Sequence, residues 1–232
     1  NDGDLDLLVP DMSFNNLYLN ESGDLYQDVT ATIGVAEASG QYVSWGGDFG
    51  DFDNDGYLDI LISNGDAHRL DSLEPLLLLN VPGDHGTRRF RDVSTRSGPW
   101  FRHKSVARGM TVADFDNDGD LDVFMLNLDQ PSQLARNDCN NGNRWLVLDL
   151  VGTVSNRDGV GARVTVRAGG TARIREARSA SGYLSQNDPR LHFGLGAHQR
   201  VDEIEIRWPS GTVQMLKDVV VDQILRVEEA GE

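Results

Sequence analysis

The 232-residue chain has one cysteine, Cys139, so it encodes no internal disulfide, no paired-cysteine zinc ribbon and no CxxCH haem attachment. The lone thiol is expected to be free and buried. Long apolar runs are also missing. The longest are four residues, as at Leu76 to Leu79, far short of the roughly 18 residues of a membrane helix, so no helical span is expected. Basic residues are scarce, 21 against 37 acidic, and a net charge of −16 repels phosphate backbones, which argues against nucleic acid as a partner. With 39% apolar and 7% aromatic residues the chain can still bury one or two cores.

Glutamate is rare beside aspartate, 9 against 28, a bias that suits short carboxylates placed in tight loops. The acid is also uneven. Residues 1–140 hold 25 acidic and 9 basic side chains, and residues 141–232 hold 12 of each, so the whole excess of 16 lies in the first part. That distribution points to a metal. The chain opens at Asn1, with neither Met nor an apolar leader, inside a phrase that recurs, and it reads as a fragment. Asn20-Glu21-Ser22 is a weak glycosylation sequon.

The recurring phrase organises the first part. DFDNDGYLDILISN occupies 51–64, DFDNDGDLDVFMLN occupies 114–127, and NDGDLDLLVP at 1–10 is the same phrase without its first three residues. The complete copies start 63 residues apart (114 − 51), and the partial copy aligns 53 upstream (59 − 6). Between them NNLYLN at 15–20, PLLLLN at 75–80 and SQLARN at 132–137 correspond, as do LYQDVT at 25–30 and RFRDVS at 89–94. Leu58, Ile60 and Ile62 alternate with Asp59, Leu61 and Ser63, and glycines crowd the preceding strands, as at Gly46-Gly47 and Gly109. We therefore expect an all-β chain whose units are blades of four short antiparallel strands, with a solenoid or sandwich as alternatives.

Within each phrase Asp stands at positions 1, 3, 5 and 9 and Gly at position 6. Alternating short carboxylates in a curling loop aim hard oxygens at one centre, the environment Ca²⁺ takes up, whereas Mg²⁺ keeps its waters and demands a stricter octahedron. Asp51, Asp53, Asp55 and Asp59 are the candidate ligands of one ion, and Asp114, Asp116, Asp118 and Asp122 of another. Position 7 varies, Tyr57 in one copy and Asp120 in the other, so its carbonyl rather than its side chain is the expected donor. The partial copy keeps Asp2, Asp4 and Asp6 and lacks the first and third ligands. Phe52, Phe115, Leu58 and Leu121 are expected to pack inward. An EF-hand is excluded, because position 12 is Ile62 or Met125 rather than a bidentate Glu and the flanks are strands. No His or nucleophile recurs beside the carboxylates, which leaves no catalytic residue to assign.

With their Gly-rich leading strands, these phrases resemble the FG-GAP or VCBS-type repeats found in the propeller of integrin alpha subunits and in secreted bacterial proteins. The resemblance covers residues 1–140. It implies calcium bound between neighbouring strands of a blade, and blades that belong to a β-propeller of which this is a part, most often seven-bladed.

Residues 141–232 are a second domain by composition, with balanced charge and no DxDxDG phrase. Ala162, Val164 and Val166 alternate with Arg163, Thr165 and Arg167, and Ile204, Ile206 and Trp208 alternate with Glu203, Glu205 and Arg207, which predicts a smaller antiparallel β-sandwich. NRWLVLDLVG at 143–152, NRDGVGARVTV at 156–166, SGYLSQNDPRLHFGLG at 181–196 and VDEIEIRWPSG at 201–211 resemble the ASPIC/UnbV domain of cartilage acidic protein-like secreted proteins. Tyr183 to His192 form a polar, turn-rich stretch that either contacts a ligand or neighbouring subunit or satisfies its own backbone. Trp100 and Phe101 form either a binding patch or a packed loop.

Two classes of function follow. One is a calcium-binding extracellular scaffold, secreted or on a bacterial surface or in a periplasm, that offers loops to a protein, glycan or matrix partner, with self-assembly as an extension. The other is the non-catalytic part of a larger polysaccharide-acting enzyme.

Overall fold

A computed structural model of the chain describes residues 3–21 and 25–231. The repeats give three antiparallel sheets. Strands β1 (Leu7–Val9), β2 (Asn16–Asn20) and β3 (Tyr26–Asp28) form the first, in that order, followed by the short helix α1 (Val35–Ser39). The second contains β4 (Ser44–Gly50), β5 (Asp59–Asn64), β6 (Leu76–Pro82) and β7 (Arg88–Asp92), each paired to the next. The third contains β8 (Ala107–Ala113), β9 (Asp122–Asn127) and β10 (Gln133–Ala135). The expected four-stranded unit is thus complete once among the described residues. Of the shorter units, the first contains only part of the phrase, and in the third LYQDVT and RFRDVS have no counterpart. None of these sheets closes on itself.

The units stack face to face. Phe52, Leu61 and Leu77 of the second pack with Met110, Val112, Leu121 and Met125 of the third. Ile60, Ile62, Leu76 and Leu78 pack the other way, on Leu17, Val29 and Val35. Alternation along β5 therefore sorts one neighbour from the other, and the strand is buried on both faces. Glycine permits the close approach of β4 to β8: a side chain at Gly46 would collide with Ser63 Oγ, which itself donates to Arg108 O at 3.0 Å.

The remaining strands are β11 (Arg144–Val151), β12 (Arg163–Ala168), β13 (Thr171–Glu176), β14 (Leu191–Gly196), β15 (Arg200–Arg207), β16 (Val213–Val220) and β17 (Gln223–Glu228). They form two sheets, β14-β11-β17 and β13-β12-β15-β16, around Leu146, Leu148, Val164, Val166, Phe193, Ile204, Ile206 and Trp208. The sandwich is not wholly antiparallel, because β17 pairs with β11 in parallel. At Asp222, φ 58°, the chain turns from β16 into the opposite sheet instead of closing a hairpin, and Arg144 Nη1 holds the Asp222 carboxylate at 2.7 Å.

This end is fastened by Glu229, whose buried carboxylate accepts the N–H groups of Thr153, Val154 and Ser155 at 3.0, 2.8 and 2.6 Å and the Ser210 hydroxyl at 2.5 Å. Burial pushes its pKa up, but those donors outweigh it and hold the group at about 2. No helix among the described residues is long and apolar enough to cross a membrane.

Candidate metal centre

Each acidic phrase curls because two of its residues adopt positive φ: Asn54 (58°) and Gly56 (96°) in one, Asn117 (62°) and Gly119 (94°) in the other. Asn and Gly are the residues that tolerate this region best, so position 4 is a backbone requirement that sequence reasoning left without a role. The carboxylates then bind the loop's own amides. Gly56 N–H donates to Asp51 Oδ2 at 2.8 Å, Asp55 N–H to Asp53 Oδ1 at 3.1 Å and Tyr57 N–H to Asp55 Oδ1 at 2.8 Å. The second loop repeats this, with Gly119 N–H to Asp114 Oδ2 at 3.0 Å and Asp120 N–H to Asp118 Oδ1 at 2.9 Å. These are the short-range turns that aspartate makes and glutamate is too long to make.

Position 9 locks the loop to the sheet. Phe52 N–H reaches Asp59 Oδ2 at 3.0 Å and Asn80 N–H reaches Asp59 Oδ1 at 2.8 Å. In the third unit Phe115 N–H and Asn137 N–H bind Asp122 at 3.1 and 2.7 Å, and in the first Asn20 N–H binds Asp6 at 3.0 Å. The Asn that closes NNLYLN, PLLLLN and SQLARN is therefore the partner of the last aspartate in every unit. Asn20 is buried there, which makes it a poor glycan acceptor.

In both complete loops three carboxylates converge. Oxygens of Asp51, Asp53 and Asp59 lie within 4.8 Å of one another, as do those of Asp114, Asp116 and Asp122. Asp55 and Asp118 are outside these tight groups. Asp55 sits 3.6 Å from Arg88 Nη2, and Arg88 in turn covers the Tyr57 ring at 3.4 Å. The position 7 side chains have work of their own, contrary to expectation: Asp120 accepts Asn54 Nδ2 at 2.9 Å and Cys139 N–H at 2.7 Å, joining the two loops. In the partial copy Asp4 is exposed and Asp6 half-buried, and Asp2 lies outside the described residues.

The electrostatics of the cages follow from burial. Asp51, Asp59, Asp114 and Asp122 are all buried. Loss of water, then the charges of Asp55 and Asp53, push Asp51 up to about 7, even with the Arg175 guanidinium opposing the shift. The same desolvation lifts Asp59 to about 9 and Asp122 to about 6, and raises Asp53 and Asp114. Asp51 Oδ1 is buried without a hydrogen-bond partner, although a buried acceptor normally has one. The donor set is all hard oxygen with an acceptor to spare, and it fits Ca²⁺.

Sequence reasoning missed the second half's contribution to these loops. Arg173 on β13 is buried against Gly56, and Gly194 on β14 lies so close to the Asp51 carboxylate that a side chain there would collide with it. Asn143 Nδ2 donates to Asp53 O at 2.8 Å and Gly196 N–H to Asn54 O at 2.8 Å. On the second loop Arg190 Nη2 donates to Asp114 O at 2.7 Å, and His192 Nε2 lies 2.9 Å from Gly119 O. Burial lowers His192 to about 4 and keeps it neutral.

The polar stretch before β14 is a strap across the repeats rather than a self-satisfied loop. Ser185 Oγ and Asn187 Oδ1 accept Met110 and Val112 N–H at 3.0 and 2.9 Å, and Ser181 and Asn187 both bind Asp48. A cleft of about 740 Å³ remains between the halves, bordered by Asp51, Tyr57, Arg175 and His192.

Three smaller expectations are settled here. Phe52 and Leu121 are buried and Leu58 is half-buried, but Phe115 is exposed. Cys139 is free but only half-buried, its thiol pushed up to about 11 by desolvation, then by Asp120. Trp100 and Phe101 meet edge to face at 4.9 Å and pack on the core beneath them.

Comparison with known proteins finds one family match toward each end of the chain. Residues 1–62 match a family described as FG-GAP-like repeat, and residues 152–232 match one described as ASPIC and UnbV. Cartilage acidic protein 1 of Homo sapiens is 31% identical in an alignment 167 residues long, gaps included, that covers 69% of this chain and 24% of that protein. The Mus musculus protein is 30% identical in an alignment of the same length that covers 69% of this chain and 25% of that protein. The Xenopus tropicalis protein is 25% identical in an alignment 267 residues long, gaps included, that covers 86% of this chain and 38% of that protein. The chain thus spans about a quarter to two-fifths of the curated relatives it matches. It carries an FG-GAP-like repeat region followed by an ASPIC/UnbV region and is similar in sequence to cartilage acidic protein 1.

Proposed function

We propose that this protein is a non-catalytic, calcium-stapled β scaffold that acts outside the cell, with one ion in each complete acidic loop and with exposed loops serving a protein, glycan or matrix partner. The observation that carries the reading is the duplicated cage: three converging carboxylates, two of them fully enclosed, with Asp51 Oδ1 lacking any donor. Three like charges at that spacing in a site with little water are stable only if they take up protons or share a cation. The ions are structural in this reading. The amides of Phe52, Asn80, Phe115 and Asn137 tie the caged aspartates to the sheets, and the carbonyls of Asp53 and Asp114 receive donors from the second half. An ion in either loop therefore braces a blade and the contact between the halves together. Similarity to cartilage acidic protein 1 supports an extracellular setting, where calcium is plentiful.

Calorimetric titration of the chelated protein with Ca²⁺ tests this. Two sites are expected, and both should vanish when Asp53 and Asp116 are replaced by Ala together. Absence of any calcium heat, with no change in melting temperature, rules the reading out.

A further inference from the structure

Strand β13 is at the edge of its sheet, and across the pair it forms with β12 Arg173 and Arg175 stand opposite Val166 and Val164, which belong to the core of the sandwich. Both arginines therefore leave the strand on the face that would ordinarily be apolar. Arg173 is 3% exposed and lies so close to Gly56 of the first acidic loop that a side chain there would collide with its guanidinium. Arg175 lies over the Phe193 ring at 5.4 Å.

The second loop also has basic neighbours, but carboxylates outside the cage hold them. Arg190 Nε is 2.8 Å from Asp188 Oδ2, and the exposed Arg136, 3.7 Å from Asp116, is held by Asp138 at 2.8 Å. Arg173 instead keeps Nε and Nη1 buried without a hydrogen-bond partner, although buried donors nearly always have one. Desolvation lowers the pKa of both guanidiniums on β13, that of Arg175 to about 10, and in each the charge that most opposes the lowering is Asp51's. Both stay charged at neutral pH.

We propose that Arg173 and Arg175 are built-in counter-cations of the first cage, which offset its carboxylates in the absence of calcium and oppose calcium binding there. The second domain thereby sets the calcium affinity of this loop and not of the other. This deepens the calcium reading and rests on it. An ionised cage attracts both guanidiniums, and a divalent ion at its centre removes most of that attraction. In a poorly hydrated site the loss weakens binding on the order of tenfold or more. Asn143 and Gly196 of the same domain act the other way, because their bonds to the carbonyls of Asp53 and Asn54 fix the shape of the loop.

Calcium titration of two single-site proteins tests this, in alkaline buffer so that calcium does not merely replace protons. With Asp116→Ala leaving only the first site, Arg173→Gln should tighten Kd roughly tenfold. Arg175→Gln should act in the same direction, and Arg173→Lys, which keeps the charge, should stay near the parent. With Asp53→Ala leaving only the second site, Arg173→Gln should change nothing. An arginine that only supports the loop would weaken calcium binding when removed. Unchanged or weaker binding in the Gln variants therefore overturns the proposal, as does equal tightening of the second site. If the Asp116→Ala protein takes up no calcium at all, the calcium reading of this loop fails and the proposal falls with it. Circular dichroism checks folding, and Arg175→Gln carries the test if Arg173→Gln unfolds the chain.

Discussion

Residues 51–59 and 114–122 are two copies of one loop that differ only at position 7, Tyr57 against Asp120. Their backbones repeat the same positive φ residues and most of the same amide-to-carboxylate bonds, the position 5 amide alone switching from Asp53 in one to Asp114 in the other, yet their electrostatics diverge. In the first loop burial lifts Asp51 to about 7 and Asp59 to about 9, and in the second Asp122 rises only to about 6. The cause lies outside the nine residues. The first loop is enclosed by the third unit and by β13 and β14, with Phe52 in a core, whereas the second keeps Phe115, Asp116, Asn117 and Asp118 exposed. Local sequence therefore sets the curl of a loop, and its neighbours set how far burial raises its carboxyl pKa values.

Removing calcium should have the largest effect on this comparison. An ion held only by the folded state at roughly a hundredfold excess over Kd contributes about 2.7 kcal/mol. Two ions then amount to a fall in melting temperature on the order of 10 °C for a domain of this size when a chelator is added. Asp53→Ala and Asp116→Ala should each remove one ion and about half of that shift, and neither should matter in chelator. Differential scanning calorimetry checks this, and a variant that keeps the full calcium response would show that its loop holds no ion.

Replacing the second residue of each loop comes next. Phe52→Ala opens a cavity between two units and should cost about 3–5 kcal/mol, whereas Phe115→Ala should stay within about 0.5 kcal/mol. Urea unfolding of both proteins at low concentration measures the difference, and equal costs would place Phe115 in a core.

The pH dependence should differ in the same sense. With no cation present, folding raises the carboxyl pKa values above the ordinary 3.8, so the stability they contribute is present at low pH and is lost as pH rises through the folded values. The second loop's share should be gone by about pH 6, and the first loop's should go on falling toward pH 9. Melting curves in chelator from pH 5 upward should therefore decline, and Asp59→Asn should flatten the upper part of the decline more than Asp122→Asn does. Curves indifferent to both substitutions would contradict the buried charge.

Smallest is the effect at position 4. Asn54→Gly keeps the left-handed backbone but removes buried bonds to Asp120 and Gly119, at a cost of about 1 kcal/mol. Asn117→Gly, at an exposed site whose bond to Arg190 is worth less in water, should cost under about 0.5 kcal/mol.

Much of the repeat region is legible in the chain because its information is local. Spacing of Asp at alternate positions, Gly at position 6 and the alternation of Ile60, Leu61 and Ile62 predict the loop and its strand without any distant partner. The recurring Asn80 and Asn137 were visible as a pattern but silent as to purpose, since a main-chain amide bound to Asp59 or Asp122 leaves no trace in residue type. Arg173, Arg190 and His192 were illegible as loop contacts. Nothing in their spacing distinguishes a guanidinium turned toward a carbonyl more than 70 residues away in sequence, as Arg190 is toward Asp114, from one turned to solvent. The parallel pairing of β17 with β11 escaped for the same reason, because alternation defines a strand's faces but not its neighbour's direction.

By itself, then, the sequence determined an acidic, β-rich chain built from a repeated carboxylate loop, because turn chemistry and side-chain alternation act over a few residues. Only the tertiary structure decided which copy of that loop is deeply enclosed and which arginines and histidine press on it. Burial and Coulomb energy depend on what lies across space, and sequence separation carries almost none of that information.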